Sequence, residues 1–213
     1  MIRGVTVDRR ARRRQETIEE ILEIAEAIMT EEGVNGLSLA EIARRLGVQP
    51  PSLYKYFPSL MAVYDALFKR GQVANLAVIR AAMEEAEPGL PAIVAGLDAA
   101  CAWSMDHRGL AQLMWWRPVP SFEPSEDAFA PSIEMVAVQR AALREAVKLG
   151  QLGPGAAKEE GVYAVSIITA GALTQAMANE PDVPWGKGRF SPLFPKLMTL
   201  LPALYPPRPE RAH

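Results

Sequence analysis

The stretch Ser38–Phe57, SLAEIARRLGVQPPSLYKYF, decides how this chain folds. Ser38 and Glu41 have the spacing of a capping box, and Leu37 with Ile42 that of a hydrophobic staple, so a helix starts here. It runs to about Leu46 and stops at Gly47, a residue able to take the left-handed cap conformation. Pro50-Pro51 open a second short helix, because a proline is tolerated where the first turn has no use for its N–H, and it ends before Pro58. Two short helices joined by a tight turn form the bihelical unit that enters a DNA groove.

The side chains divide accordingly. Leu39, Ile42, Ala43 and Leu46 face inward, Val48 plugs the angle, and Leu53 and Phe57 anchor the second helix from beneath. Gln49, Pro51, Ser52, Tyr54, Lys55 and Tyr56 remain outward, with Ser38 at the start of the first helix. Hydroxyls and an ammonium suit phosphate oxygens, and Ser, Gln and Lys also reach base edges.

Upstream, Ile18, Ile21, Leu22, Ala25, Ile28 and Met29 follow helical spacing from Thr17, and Gly33 and Asn35-Gly36 end that helix. Residues 1–15 carry six arginines (Arg3, Arg9, Arg10, Arg12, Arg13, Arg14) against Asp8, while residues 16–32 carry seven glutamates and no base. A basic arm thus precedes an acidic helix. Arg12, Arg13 and Arg14 are candidate phosphate contacts, and a solvated tail that folds onto DNA fits the same residues.

Downstream, helical spacing predicts segments at Ser59–Glu87, Leu90–His107, Gly109–Trp116, Glu126–Leu149, Ala156–Asn179 and Pro192–Leu204. Gly- and Pro-rich joints separate the later ones, and no strand alternation is visible. The expectation is an all-α fold: an N-terminal three-helix DNA-binding domain over residues 1–58 and a larger helical regulatory and dimerisation domain over 59–213.

With 49% hydrophobic and 23% charged residues, the composition is that of a globular protein. Cys101 is the sole cysteine, so no internal disulfide or multi-cysteine metal site forms, and no cofactor is expected. No apolar signal-type stretch follows the basic N-terminus, so a cytoplasmic protein is expected. Gly161–Asn179 lacks charge but holds Ser166, Thr169, Thr174 and Gln175, too polar for a lone membrane span. A helix apolar all round must be buried all round. Gly161, Ala164, Ile168, Gly171, Ala172 and Gln175 therefore mark a homodimer interface, completed by the Pro192–Leu204 helix. Trp103, Met114, Trp115, Met135 and Tyr163 are the candidate lining of an enclosed, mostly apolar pocket. His107 reads as a helix-end residue. No nucleophile–base pair, carboxylate pair or metal quartet stands out, so an enzyme is not expected.

The Ser38–Phe57 stretch resembles the N-terminal domain of the TetR (tetracycline repressor) family. That family's pattern is a first helix rich in Ile and Ala, then L-x-x-I-A-x-x-x-G-V, then S/T-L-Y-x-Y/H-F. Ala25, Leu39, Ile42, Ala43, Gly47, Val48, Ser52, Leu53, Tyr54, Tyr56 and Phe57 carry the resemblance, over roughly residues 15–70. It implies a homodimeric repressor on a palindromic operator, released by a small apolar or amphipathic effector. The rest of the chain is similar to the family only in architecture. Where most members have a lysine at the start of the fourth helix, this chain has Leu60, so a phosphate contact expected there is missing. Two rival readings remain: a DNA-binding regulator without a small-molecule ligand, and a helical module that has lost DNA binding.

Overall fold

The structure is a computed structural model that describes residues 3–207 of the chain, with side chains from Arg9 onward. The side chains of Arg3 and Asp8 lie outside the described residues. Every regular element among the described residues is helical. The α-helices are α1 (Arg3–Glu32), α2 (Leu39–Leu46), α3 (Leu60–Glu85), α4 (Leu90–Asp106), α5 (Arg108–Trp116), α6 (Glu126–Lys148), α7 (Glu159–Asn179), α8 (Phe194–Met198) and α9 (Leu201–Leu204). Short 3-10 turns at Val34–Gly36, Pro50–Ser52, Pro154–Ala157 and Ser191–Leu193 join them.

Two expected elements differ. The basic arm is not separate from the first helix: α1 already begins at Arg3. Arginine is a good helix former, and Arg12 lies 3.6 Å from Glu16 one turn on, so nothing in the run stops the helix. The expected Pro192–Leu204 helix is instead a 3-10 turn followed by α8 and α9. Pro202 has no N–H to offer the Met198 carbonyl, and the helix breaks just before it, at Thr199 and Leu200.

The chain forms two compact units, Met1–Gly71 with Gly109–Ala128, and Gln72–Arg108 with Phe129–His213. In the first, Ile21, Leu22, Ala25, Ile28 and Met29 of α1 are buried, as the helical spacing requires. Phe122 packs between Tyr64 and Phe68, its ring centroid 5.9 and 6.1 Å from theirs. A Cβ at Gly71 would strike the Met114 sulfur, and one at Gly109 would come within 2.9 Å of the Met29 Cβ, so both glycines are sites of close helix approach. Ser125 caps α6 through the Ala128 N–H (3.2 Å), while its own N–H and hydroxyl donate to the Asp65 carboxylate at 2.7 and 2.8 Å.

In the second unit, Ile93, Leu143, Ala146, Val162, Val165, Ala172, Phe194, Met198 and Leu201 share one apolar core. Gln151 staples the α3–α4 joint to it, accepting from the Leu90 N–H (2.6 Å) and donating to the Pro88 carbonyl (3.1 Å). The Trp185 indole donates to Asp98 at 2.8 Å and meets Phe194 edge-on. Among the described residues, α7 alone is long and apolar enough to cross a membrane by length and composition.

Candidate nucleic-acid interface

α2 forms as its ends dictate. The Ser38 hydroxyl accepts from the Glu41 N–H at 3.2 Å, and Gly47 closes the helix at φ 72°. Only half of the capping box forms, because the Glu41 carboxylate turns to Arg44 (2.7 and 2.6 Å) and Arg45 (2.8 Å). These hydrogen-bonded guanidinium groups pull the Glu41 carboxyl down to about 2. Arg45 also reaches Glu31 (2.8 Å) and Glu32 (2.9 Å), fastening α2 to the end of α1. The Tyr64 hydroxyl, buried, donates to the Val34 carbonyl at 2.8 Å and secures the joint before α2.

The second helix of the motif is tighter than an α-helix. Ser52 N–H donates to the Gln49 carbonyl, Leu53 to Pro50 and Tyr56 to Leu53, all three-residue steps, and only Phe57 bonds four residues back, to Leu53. With two prolines at its start, the segment has few N–H groups with which to build longer rings. Leu53 and Phe57 are buried beneath it, and Ile42 and Ala43 are buried in α2. Leu39 and Leu46 are half-buried, and Val48, expected as a plug, stands exposed. Its N–H still bonds the Ala43 carbonyl at 3.0 Å, so the turn is held by backbone and not by that side chain.

On the outside lie Gln49, Pro51, Tyr54 and Lys55, exposed, with Ser38, Ser52 and Tyr56 half-buried. Arg12, Arg13 and Arg14 are exposed on α1. Arg14 comes to the motif itself: its Nη2 donates to the Lys55 carbonyl at 3.3 Å, and its Cζ lies 5.7 Å from the Tyr56 ring centroid. The Thr17 hydroxyl, then Lys55 and Arg14, lower the Tyr56 phenol below its ordinary value. The contact of Arg14 with the recognition segment was not foreseen from sequence. The available signal is that Arg14 lies four residues before Ile18 and seven before Ile21, on the stripe that packs inward.

Residues 21–67, which hold all of this geometry except Arg12, Arg13, Arg14 and Thr17, match the profile of the bacterial regulatory proteins of the tetR family. The match lies in the N-terminal region, and it is there that this chain is similar to the tetR family. It is 43% identical over 51 residues to the uncharacterized HTH-type transcriptional regulator YobS of Bacillus subtilis, a match covering 24% of this chain and 27% of that regulator's length. Among solved structures, it is similar to a protein of unknown function from Rhodococcus sp. RHA1, with a TM-score of 0.74 and 24% identity, covering 88% of this chain and 94% of that one. It is also similar to the transcriptional regulator FadR of Bacillus subtilis, solved with stearoyl-CoA, with a TM-score of 0.67 and 15% identity, covering 86% of this chain and 96% of that one. At these identities, the structural likeness is one of fold.

The other residues singled out fall in both compact units. Met114 and Trp115 belong to the first unit, and Trp103, Met135 and Tyr163 to the second. Met114 is buried over Gly71, and the Trp115 indole nitrogen is buried with no hydrogen-bond partner. Trp103 stacks on His107, their centroids 4.6 Å apart. Tyr163 is 57% exposed, and its hydroxyl donates to Glu159 at 2.7 Å. A groove of 320 Å³ lies on α6, lined by Phe129, Ser132, Ile133, Val136, Ala137 and Arg140.

On α7, Gly161 and Ala172 are buried within the protomer, Ala172 in its apolar core. A Cβ on Gly161 would run into the Ala156 backbone, so this glycine serves the 3-10 turn before α7. Ala164 and Ile168 pack half-buried against the same core. Gly171 and Gln175 are exposed, alongside Ile167, which is 70% exposed. Leu193, Leu197, Leu200 and Leu204 stand exposed on the C-terminal segment, spaced four, three and four residues apart.

Proposed function

We propose that this chain is a cytoplasmic, homodimeric, DNA-binding transcriptional repressor that a small apolar or amphipathic effector releases from a palindromic operator. The observation that carries the reading is the division of Gln49–Phe57: Leu53 and Phe57 are locked inward, so Gln49, Ser52, Tyr54 and Lys55 are held outward on a rigid turn. Groups of this kind position a protein on phosphates and read base edges. The dimer reading is supported by the outward Tyr163, Ile167 and Gly171 of α7 and by the leucine stripe from Leu193 to Leu204. Apolar stripes of this spacing pair helices across a two-fold axis. The effector reading is supported by the fold shared with a regulator that holds stearoyl-CoA. An effector would act only through a difference in affinity for the DNA-competent and released states, typically about 1–3 kcal/mol of coupling.

Selection of duplexes from a random pool tests this directly. The expected winners are inverted repeats whose half-sites lie about 34–36 Å apart, one helical turn. A pool that stays random, with no retained duplex at low salt, overturns the reading.

A further inference from the structure

Two cations from different segments meet at Tyr56. Lys55 Nζ lies 4.8 Å from the centroid of that ring and Arg14 Cζ 5.7 Å from it. Neither has a carboxylate partner among the described residues, although glutamates are plentiful on α1 and α2 holds Glu41. Arg12 pairs with Glu16, Arg44 and Arg45 with Glu41, and Arg70 with Glu19. Those glutamates are taken up by other bases, and the two like charges on the Tyr56 ring have no ion-pair partner among the described residues.

Arg14 is also held in place. One of its N–H groups donates to the Lys55 carbonyl, which leaves the rest of its planar fork oriented beside Lys55. The helical start of α1 makes this possible, because an arginine on a helix needs no further backbone ordering to bind. A guanidinium 5.7 Å and an ammonium 4.8 Å from one ring centroid suit one tetrahedral oxyanion, with the guanidinium contacting it in a fork and the ammonium as a point charge.

We propose that Arg14 and Lys55 form a single composite site for one phosphodiester of the DNA backbone, received over the Tyr56 ring. The site rests on the DNA-binding reading above and adds to it that α1 and the recognition segment grip the same phosphate. Arg14 thereby fixes the register of the recognition segment on the duplex.

The test is the salt dependence of affinity for a random-sequence duplex, measured for the wild type, Arg14→Ala, Lys55→Ala and the double variant, each with its melting temperature. Each phosphate neutralised contributes about 0.9 to the slope of log K against log salt. The double variant is expected to lose about 0.9, and the loss from Lys55→Ala is expected to be smaller when Arg14 is already alanine, with melting temperatures unchanged. A loss of about 1.8 in the double variant, two phosphates' worth, overturns the shared site. So does an Arg14→Ala slope equal to wild type, which would leave Arg14 only its tie to the Lys55 carbonyl. Inorganic phosphate at constant ionic strength forms the second arm. If it displaces duplex from the wild type but not from the double variant, the site takes free phosphate and the diester assignment falls. A wild type with no salt-dependent binding would instead overturn the DNA-binding reading itself.

Discussion

The segment Gln49–Tyr56 and the outer face of α7 differ in what they leave facing water. The first buries Leu53 and Phe57 and presents an amide, hydroxyls and a cation; the second presents Tyr163, Ile167 and an open Gly171, with Ala172 and Val165 turned inward. A polar, basic face loses little by staying hydrated until phosphates displace the water. An apolar face on a helix that already buries its other side gains by meeting a second apolar face. The two regions of one chain therefore ask for different partners, and substitutions should separate them.

The largest effect is expected at Leu53. It is 1% exposed, so Leu53→Ala should cost about 2–5 kcal/mol of stability, seen as a lower denaturation midpoint, and should abolish DNA binding with it. A melting transition equal to wild type would mean that the recognition segment is not anchored from beneath.

On α7, neighbouring positions should behave in opposite ways. Ile167→Arg places a charge on the outer face and should yield monomers by sedimentation while helicity and melting of the protomer persist. Ala172→Arg puts an unpaired charge into the core and should lose the fold itself. If Ile167→Arg remains dimeric at micromolar concentration, the α7 face is not the contact between copies.

A smaller effect concerns pH. Glu41 titrates at about 2 in the folded chain, held down by its hydrogen bonds to Arg44 and Arg45. A carboxylate depressed on folding adds stability above its unfolded value, about 4.3, and loses it as pH falls through the folded value. The urea midpoint should therefore drop between about pH 5 and pH 2, and Glu41→Gln should flatten that part of the profile. An unchanged profile in Glu41→Gln would show that the α1–α2 network contributes nothing there.

The smallest expected change is at Tyr54, 55% exposed. Tyr54→Phe removes one hydroxyl, and operator affinity measured by anisotropy should fall by no more than about 1.5 kcal/mol, with melting unaltered. A larger loss would give that hydroxyl a charge-assisted bond to phosphate.

The motif was legible in the sequence because each of its steps depends on a residue with few options. Ser38 caps, Gly47 takes positive φ, and Ile42, Ala43, Leu53 and Phe57 can only be inside. The start of α1 was not legible, since a run of arginines has the same charge pattern as a helix or as a tail. The inward side of α7 was hidden for the opposite reason: a helix apolar nearly all round has no phase, so Ala172 and Gly171 look alike in sequence and face opposite ways in the fold. The C-terminal helix is interrupted at Thr199 and Leu200, just before Pro202, where the leucine spacing continues but the hydrogen bonds shorten to three-residue steps. The tryptophans and methionines near residues 103–116 are close in sequence yet fall into different units, because Met114 packs over Gly71.

The claim that the Ser38–Phe57 surface grips duplex DNA is tested most directly by the affinity of the intact wild-type protein for a selected duplex between 50 and 200 mM salt. The account predicts a linear fall of log K with log salt, shallower in Lys55→Ala by no more than about 0.9, at unchanged melting temperature. An affinity that ignores salt, or a Lys55→Ala variant with the wild-type slope and affinity, would contradict it.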